Sequence, residues 1–121
     1  MSDIFQSNYK NATVIIKNIN SILNTIKENN NLSEIQRQLG RVKQYLDQAQ
    51  EALKIMRNTT SQMTYNTKVQ AMGSVREIEQ SLASTKKEVG RIEAKLNKAS
   101  LVGAVSVFNY MICFYVGTAN M

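Results

Sequence analysis

The 121-residue chain has no histidine, no proline and no tryptophan, one cysteine and five glycines. Each absence closes a class of function. Without histidine it lacks the side chain that titrates near neutral pH and serves most often as a zinc ligand. It has no glycine-rich phosphate loop, and its carboxylates are scattered. Glu77 and Glu79 stand too close along a helix to share a face. No catalytic residue, cofactor, metal ion or small-molecule substrate is therefore expected, and the chain should not be an enzyme. Cys113 alone cannot close an internal disulfide, so nothing implies an oxidising compartment. It reads as filler, with acylation as the alternative. Lys10 and Lys17 interrupt the early apolar positions, so no signal peptide is expected and the N-terminus should stay in the cytosol. The matches to the glycosylation sequon at Asn11 and Asn58 then carry no meaning.

Charge is short on one side and absent at one end. Lys and Arg number 15 against 9 Asp and Glu, a net +6, and nothing after Lys98 is charged. The excess is even along the chain: residues 1–60 carry eight bases against five acids, and residues 61–121 carry seven against four. Spread charge of this kind mainly solvates a helical surface. Lys87, Arg91, Lys95 and Lys98 have no aromatic residues beside them to stack on bases, so no nucleic acid is expected.

What remains is helical. A proline-free chain rich in Gln, Lys, Glu, Ala and Leu favours uninterrupted helices. Leu32, Ile35, Leu39, Val42, Leu46, Ala49, Leu53 and Met56 recur at alternating threes and fours, an unbroken a/d seam. Ser33 with Gln36 predicts a capping box at its start, and Gly40 reads as a tolerated surface glycine. Upstream, Ser2 or Asp3 can cap a helix whose seam is Phe5, Ala12, Ile15, Ile19, Ile22 and Ile26, with Asn8 interrupting the rhythm. Asn29, Asn30 and Asn31 predict a turn through asparagine's tolerance of left-handed backbone. Downstream, Val75, Ile78, Leu82, Thr85, Val89, Ile92 and Leu96 form a third seam, with Tyr65, Val69 and Met72 one step out of register above it. Polar Thr85 relieves or specifies packing there.

Helices at about 4–27, 33–57 and 64–98 are expected, joined by short polar turns. Such helices fold back on one another, so the expected fold is all-α: an antiparallel three-helix bundle over residues 1–98. An intermolecular coiled coil is the alternative, but three seams in one chain can satisfy one another.

Residues 99–121 change character. Leu101, Val102, Val105, Val107, Phe108, Met111, Ile112, Phe114, Tyr115 and Val116 dominate an apolar C-terminal helix. With Lys95 and Lys98 just before it, this run reads as a single-pass tail anchor with juxtamembrane basic residues, or else as a fourth buried or poorly ordered segment.

The second and third seams, LGRVKQYLDQAQEALKIM and YNTKVQAMGSVREIEQSLASTKKEVGR, resemble the N-terminal Habc-type domain of the vesicle-transport v-SNAREs that interact with t-SNAREs, the Qb-SNAREs. The resemblance covers roughly residues 4–98. It implies a regulatory and docking domain on the cytoplasmic face of Golgi and endosomal membranes. Its implied partners are trafficking proteins, either other SNAREs or epsin-related clathrin adaptors. Met63 and Tyr65 are the expected partner contacts, with closure of the core's end as their other reading. The chain departs from the family in lacking a loop proline at 58–62. It also lacks the SNARE helix of about eight heptads that the family places before the anchor. By itself it is not expected to drive fusion. A helical, tail-anchored scaffold unrelated to SNAREs is the alternative.

Overall fold

In the computed structural model, residues 2–114 are described for the backbone and residues 2–98 for the side chains. Three helices follow in order: α1 (Asp3–Lys27), α2 (Leu32–Thr60) and α3 (Tyr65–Phe114). No strand occurs among the described residues. The chain divides into two compact units, Met1–Val89 and Gly90–Met121, and the three-helix bundle is the first. The second carries the remainder of α3. Nothing between Lys98 and Leu101 breaks a helix, and α3 runs on past the expected end at 98.

Side chains fix the helix ends. Ser2 Oγ accepts from the Phe5 amide at 3.2 Å, capping α1. At α2 the cap is Asn31, whose Oδ1 accepts from the Glu34 amide at 3.2 Å. The expected box of Ser33 and Gln36 does not form, because the helix already begins at Leu32. Asn31 in turn donates its amide to Asn29 Oδ1 at 2.8 Å. The asparagine turn thus works through side-chain acceptors and not through left-handed backbone, since no described non-glycine residue has positive φ. Helix α2 also outlasts its expected end near Arg57. The hydroxyls of Thr59 and Thr60 donate to the carbonyls of Ile55 and Met56, both at 2.7 Å, so residues that read as a turn form the last helical turn.

Antiparallel order follows from the short links at 28–31 and 61–64, and long-range bonds confirm it. Helix α1 packs on α2. Tyr9 with Glu77, Asn20 with Thr85 and Lys27 with Glu88 run in the same direction along α1 and α3, so these two are parallel. Helix α2 runs opposite to both. The core holds Phe5, Ile19, Val42 and Met56 fully buried, with Leu39, Leu53, Val75, Ile78 and Leu82 beside them. Thr85, buried at the seam, donates a long bond of 3.4 Å to Asn20 Oδ1 and so ties this polar layer to α1.

Two seam positions in α1 differ from the expectation. Ile16 and Leu23 are buried, whereas Ile15 and Ile22 are half-buried. Both ladders share Ala12, Ile19 and Ile26. Both also run through Phe5, and Asn8 and Tyr9, where they part, are each half-buried. Leu32, at the first helical position of α2, is 45% exposed, and that seam begins at Ile35. Gly40 faces open space: a Cβ there would touch nothing.

Ile16→Ala is expected to lower folding stability by about 2–4 kcal/mol, and Ile15→Ala by no more than about 1 kcal/mol, in paired urea titrations. Equal losses would contradict the register of α1.

Candidate docking surface

The start of α3 carries an apolar ridge that the core does not use. Thr64 supplies the carbonyl for the Lys68 amide at 2.8 Å, and its hydroxyl donates to Thr67 Oγ1, so the helix begins at Tyr65. Tyr65 is 79% exposed, Val69 54% and Met72 40%. Spaced by four and three, they share one face for two turns. Periodicity alone predicts these three as a shifted upper seam. The core instead takes Ala71, fully buried one heptad before Ile78, and the seam stays in register. Ala71 is the residue that the apolar pattern conceals: small, next to the bulkier Met72, and with only polar Thr67 and Lys68 one turn before it. Met63 lies half-buried in the link before α3.

Further along, α2 and α3 enclose an open groove floored by Leu53 and Leu82. Its walls carry Glu51, Lys54 and Lys86, and Arg57 bridges it by pairing with Glu79, Nη2 to Oε1 at 3.2 Å. Arg57 and Glu79 are both well exposed, so this pair contributes little stability and mainly sets the charge pattern along the groove.

The opposite flank of α3 faces α1. Lys27 Nζ lies 2.7 Å from Glu88 Oε1, and the Tyr9 hydroxyl donates to Glu77 Oε2 at 2.9 Å. Accepting that proton's bond, Glu77 holds the Tyr9 hydroxyl above its ordinary pKa; slight burial and the carboxylate's charge act in the same direction. At the start of α2, Glu34 is held below the usual carboxylate range chiefly by its bond from Arg37; desolvation opposes this, and the charges of Arg37 and Arg41 add to the lowering. Both shifts belong to helix-surface pairs. Among the described residues, no group of three or more His, Cys, Asp or Glu side chains could hold a metal ion.

Lys95 and Lys98 are exposed. The expected anchor positions from Leu101 to Val116 lie outside the residues whose side chains are described, and Tyr115 and Val116 lie beyond the described backbone. Among the described residues, no helix is long and apolar enough to cross a membrane.

Comparison with known families decides the class. The family described as vesicle transport v-SNARE protein N-terminus matches residues 1–93, which span α1, α2 and the first part of α3. The chain belongs to this v-SNARE N-terminal family. No curated protein and no solved structure gives a match. Membership gives the v-SNARE bundle a role in vesicle transport, among other SNAREs and trafficking proteins, on a fold that is not an enzyme's. It also removes the alternative of a scaffold unrelated to SNAREs.

The Tyr9 shift has a measurable sign. A raised folded-state pKa contributes stability that is fully present below the ordinary tyrosine value of 10.0 and is lost as pH climbs through the folded value. Wild type should exceed Tyr9→Phe in urea midpoint at neutral pH by a small margin, under about 1 kcal/mol for so exposed a bond. That margin should shrink towards about pH 11. A margin independent of pH would contradict the role of this bond.

Proposed function

We propose that this v-SNARE domain is a docking and regulatory module in intracellular protein transport between Golgi and endosomal membranes. It recognises other SNAREs or epsin-related clathrin adaptors through Met63 and Tyr65. The bundle faces the cytoplasm, and residues 99–121 form a tail anchor. Lys95 and Lys98 precede that tail, where they would meet an anionic leaflet. The observation that carries this reading is the exposure of Tyr65, 79% open at the first turn of a helix whose core positions are filled by other residues. Tyrosine is a common energetic anchor of protein interfaces, since it buries a large rigid surface with few rotatable bonds. Met63, flexible and half-buried next to it, can repack against a partner.

A photo-crosslinking residue placed at Tyr65 of the full chain in cells tests this. Adducts with SNAREs or clathrin adaptors are expected, recovered with membranes and released to the soluble fraction when the chain ends at Lys98. A probe at exposed Gln44 on α2 should not give them. Identical products from both probes, or none from Tyr65, would overturn the docking role. Soluble adducts from the full chain would overturn the anchor.

A further inference from the structure

The ridge of Tyr65, Val69 and Met72 has a charged edge of one sign. Lys68 borders it on α3 and Arg76 continues its face one turn beyond Met72; among the described residues, the side chain of neither makes an ion pair or hydrogen bond. The nearest carboxylates on the helix are engaged elsewhere. Glu77 accepts from Tyr9 on the α1 side, and Glu79 pairs with Arg57 on the α2 side. The ridge is therefore apolar from Tyr65 to Met72, with Lys68 beside it and Arg76 at its end, and the nearest α3 carboxylates are committed to α1 and α2.

We propose that this ridge binds an acidic amphipathic helix. Its apolar residues, spaced at i, i+4 and i+7, would lie along Tyr65, Val69 and Met72, and its Asp or Glu residues would meet Lys68 and Arg76. This rests on the reading of Tyr65 as a partner contact and adds the chemistry of the partner. Spacings of four and three over two turns match the anchors of one helix laid on another. A helix presents its acidic flank at the same spacing, so both cations can be met from one partner element.

A second copy of the chain fits poorly. It would set Lys68 and Arg76 near their own counterparts on a molecule that already carries net +6. Three side chains also fall far short of the roughly 800 Å² per partner of a stable interface. A bilayer fits poorly as well, because two cations contribute only about 1 kcal/mol each at an anionic leaflet. For an acidic helix the small area sets a transient affinity, on the order of tens to hundreds of micromolar, suited to docking that must be released.

The test uses the full chain and two designed helical peptides of about five turns. Both carry Leu at i, i+4 and i+7; one is flanked by Glu, and its twin has Lys at the same places. Fluorescence anisotropy of the labelled peptides should show the Glu peptide binding and the Lys twin at least about tenfold weaker. Tyr65→Ser should weaken the Glu peptide, the double variant Lys68→Glu with Arg76→Glu should reverse the preference, and added salt should reduce binding by the wild type. Circular dichroism confirms that each variant folds. Equal binding of the twins would overturn the proposal, as would no binding of the Glu peptide up to about 1 mM. Co-sedimentation of the chain with phosphatidylserine vesicles, lost on Tyr65→Ser while neither peptide binds, would assign the ridge to a membrane instead. If Tyr65 crosslinks to trafficking proteins in cells but the twins bind equally, docking stands and the acidic partner falls. If the twins are discriminated but Tyr65 crosslinks to nothing, the ridge's chemistry stands and the trafficking role falls.

Discussion

Burial of three narrow apolar stripes against one another is the constraint on which everything else in the bundle depends. Each helix carries a seam too narrow to be stable alone in water and too polar elsewhere to be buried all round. Phe5, Ile19, Val42 and Met56 lose all contact with solvent only because α1, α2 and α3 supply one another's missing faces. Links of four residues force neighbouring helices to turn back, so the partners are found within one chain. The directed bonds are subordinate. Tyr9 with Glu77 and Lys27 with Glu88 hold α1 against α3 in one axial register, but they are surface interactions and contribute little beside the core.

Much of this was legible in the residues. The seam from Leu32 to Met56 has one apolar ladder and one reading, and the structure buries seven of its eight positions, all but exposed Leu32. Helix α1 was harder because it has two ladders sharing Ala12, Ile19 and Ile26. Ile16 with Leu23 is the pair that turns inward, a choice that exists only once a neighbouring helix is present. The end of α2 was hidden for another reason. Thr59 and Thr60 favour turns by propensity, yet their hydroxyls can return to the carbonyls four residues back and keep the helix going. The asparagine link at 29–31 was located by composition while its mechanism, side-chain acceptance, was not.

The docking surface was half legible. Tyr65 stood out as an aromatic at a bundle end, but Val69 and Met72 read as core by their spacing. Their exposure follows from Ala71, which keeps the seam of Val75, Ile78 and Leu82 in phase and leaves the larger side chains outside. A helix that buries a small residue and exposes three large ones has put apolar surface where folding does not need it. Such surface is more usefully explained by a partner than by the bundle itself. Membership in the v-SNARE N-terminal family gives that partner a context in vesicle transport.

The most direct test of a self-contained bundle is the mass of residues 1–98 in solution, measured by sedimentation equilibrium over a range of concentrations. The three seams satisfying one another within one chain predict a monomer throughout. A stable dimer or larger species would mean that the seams are completed between chains, and would contradict the fold's central claim.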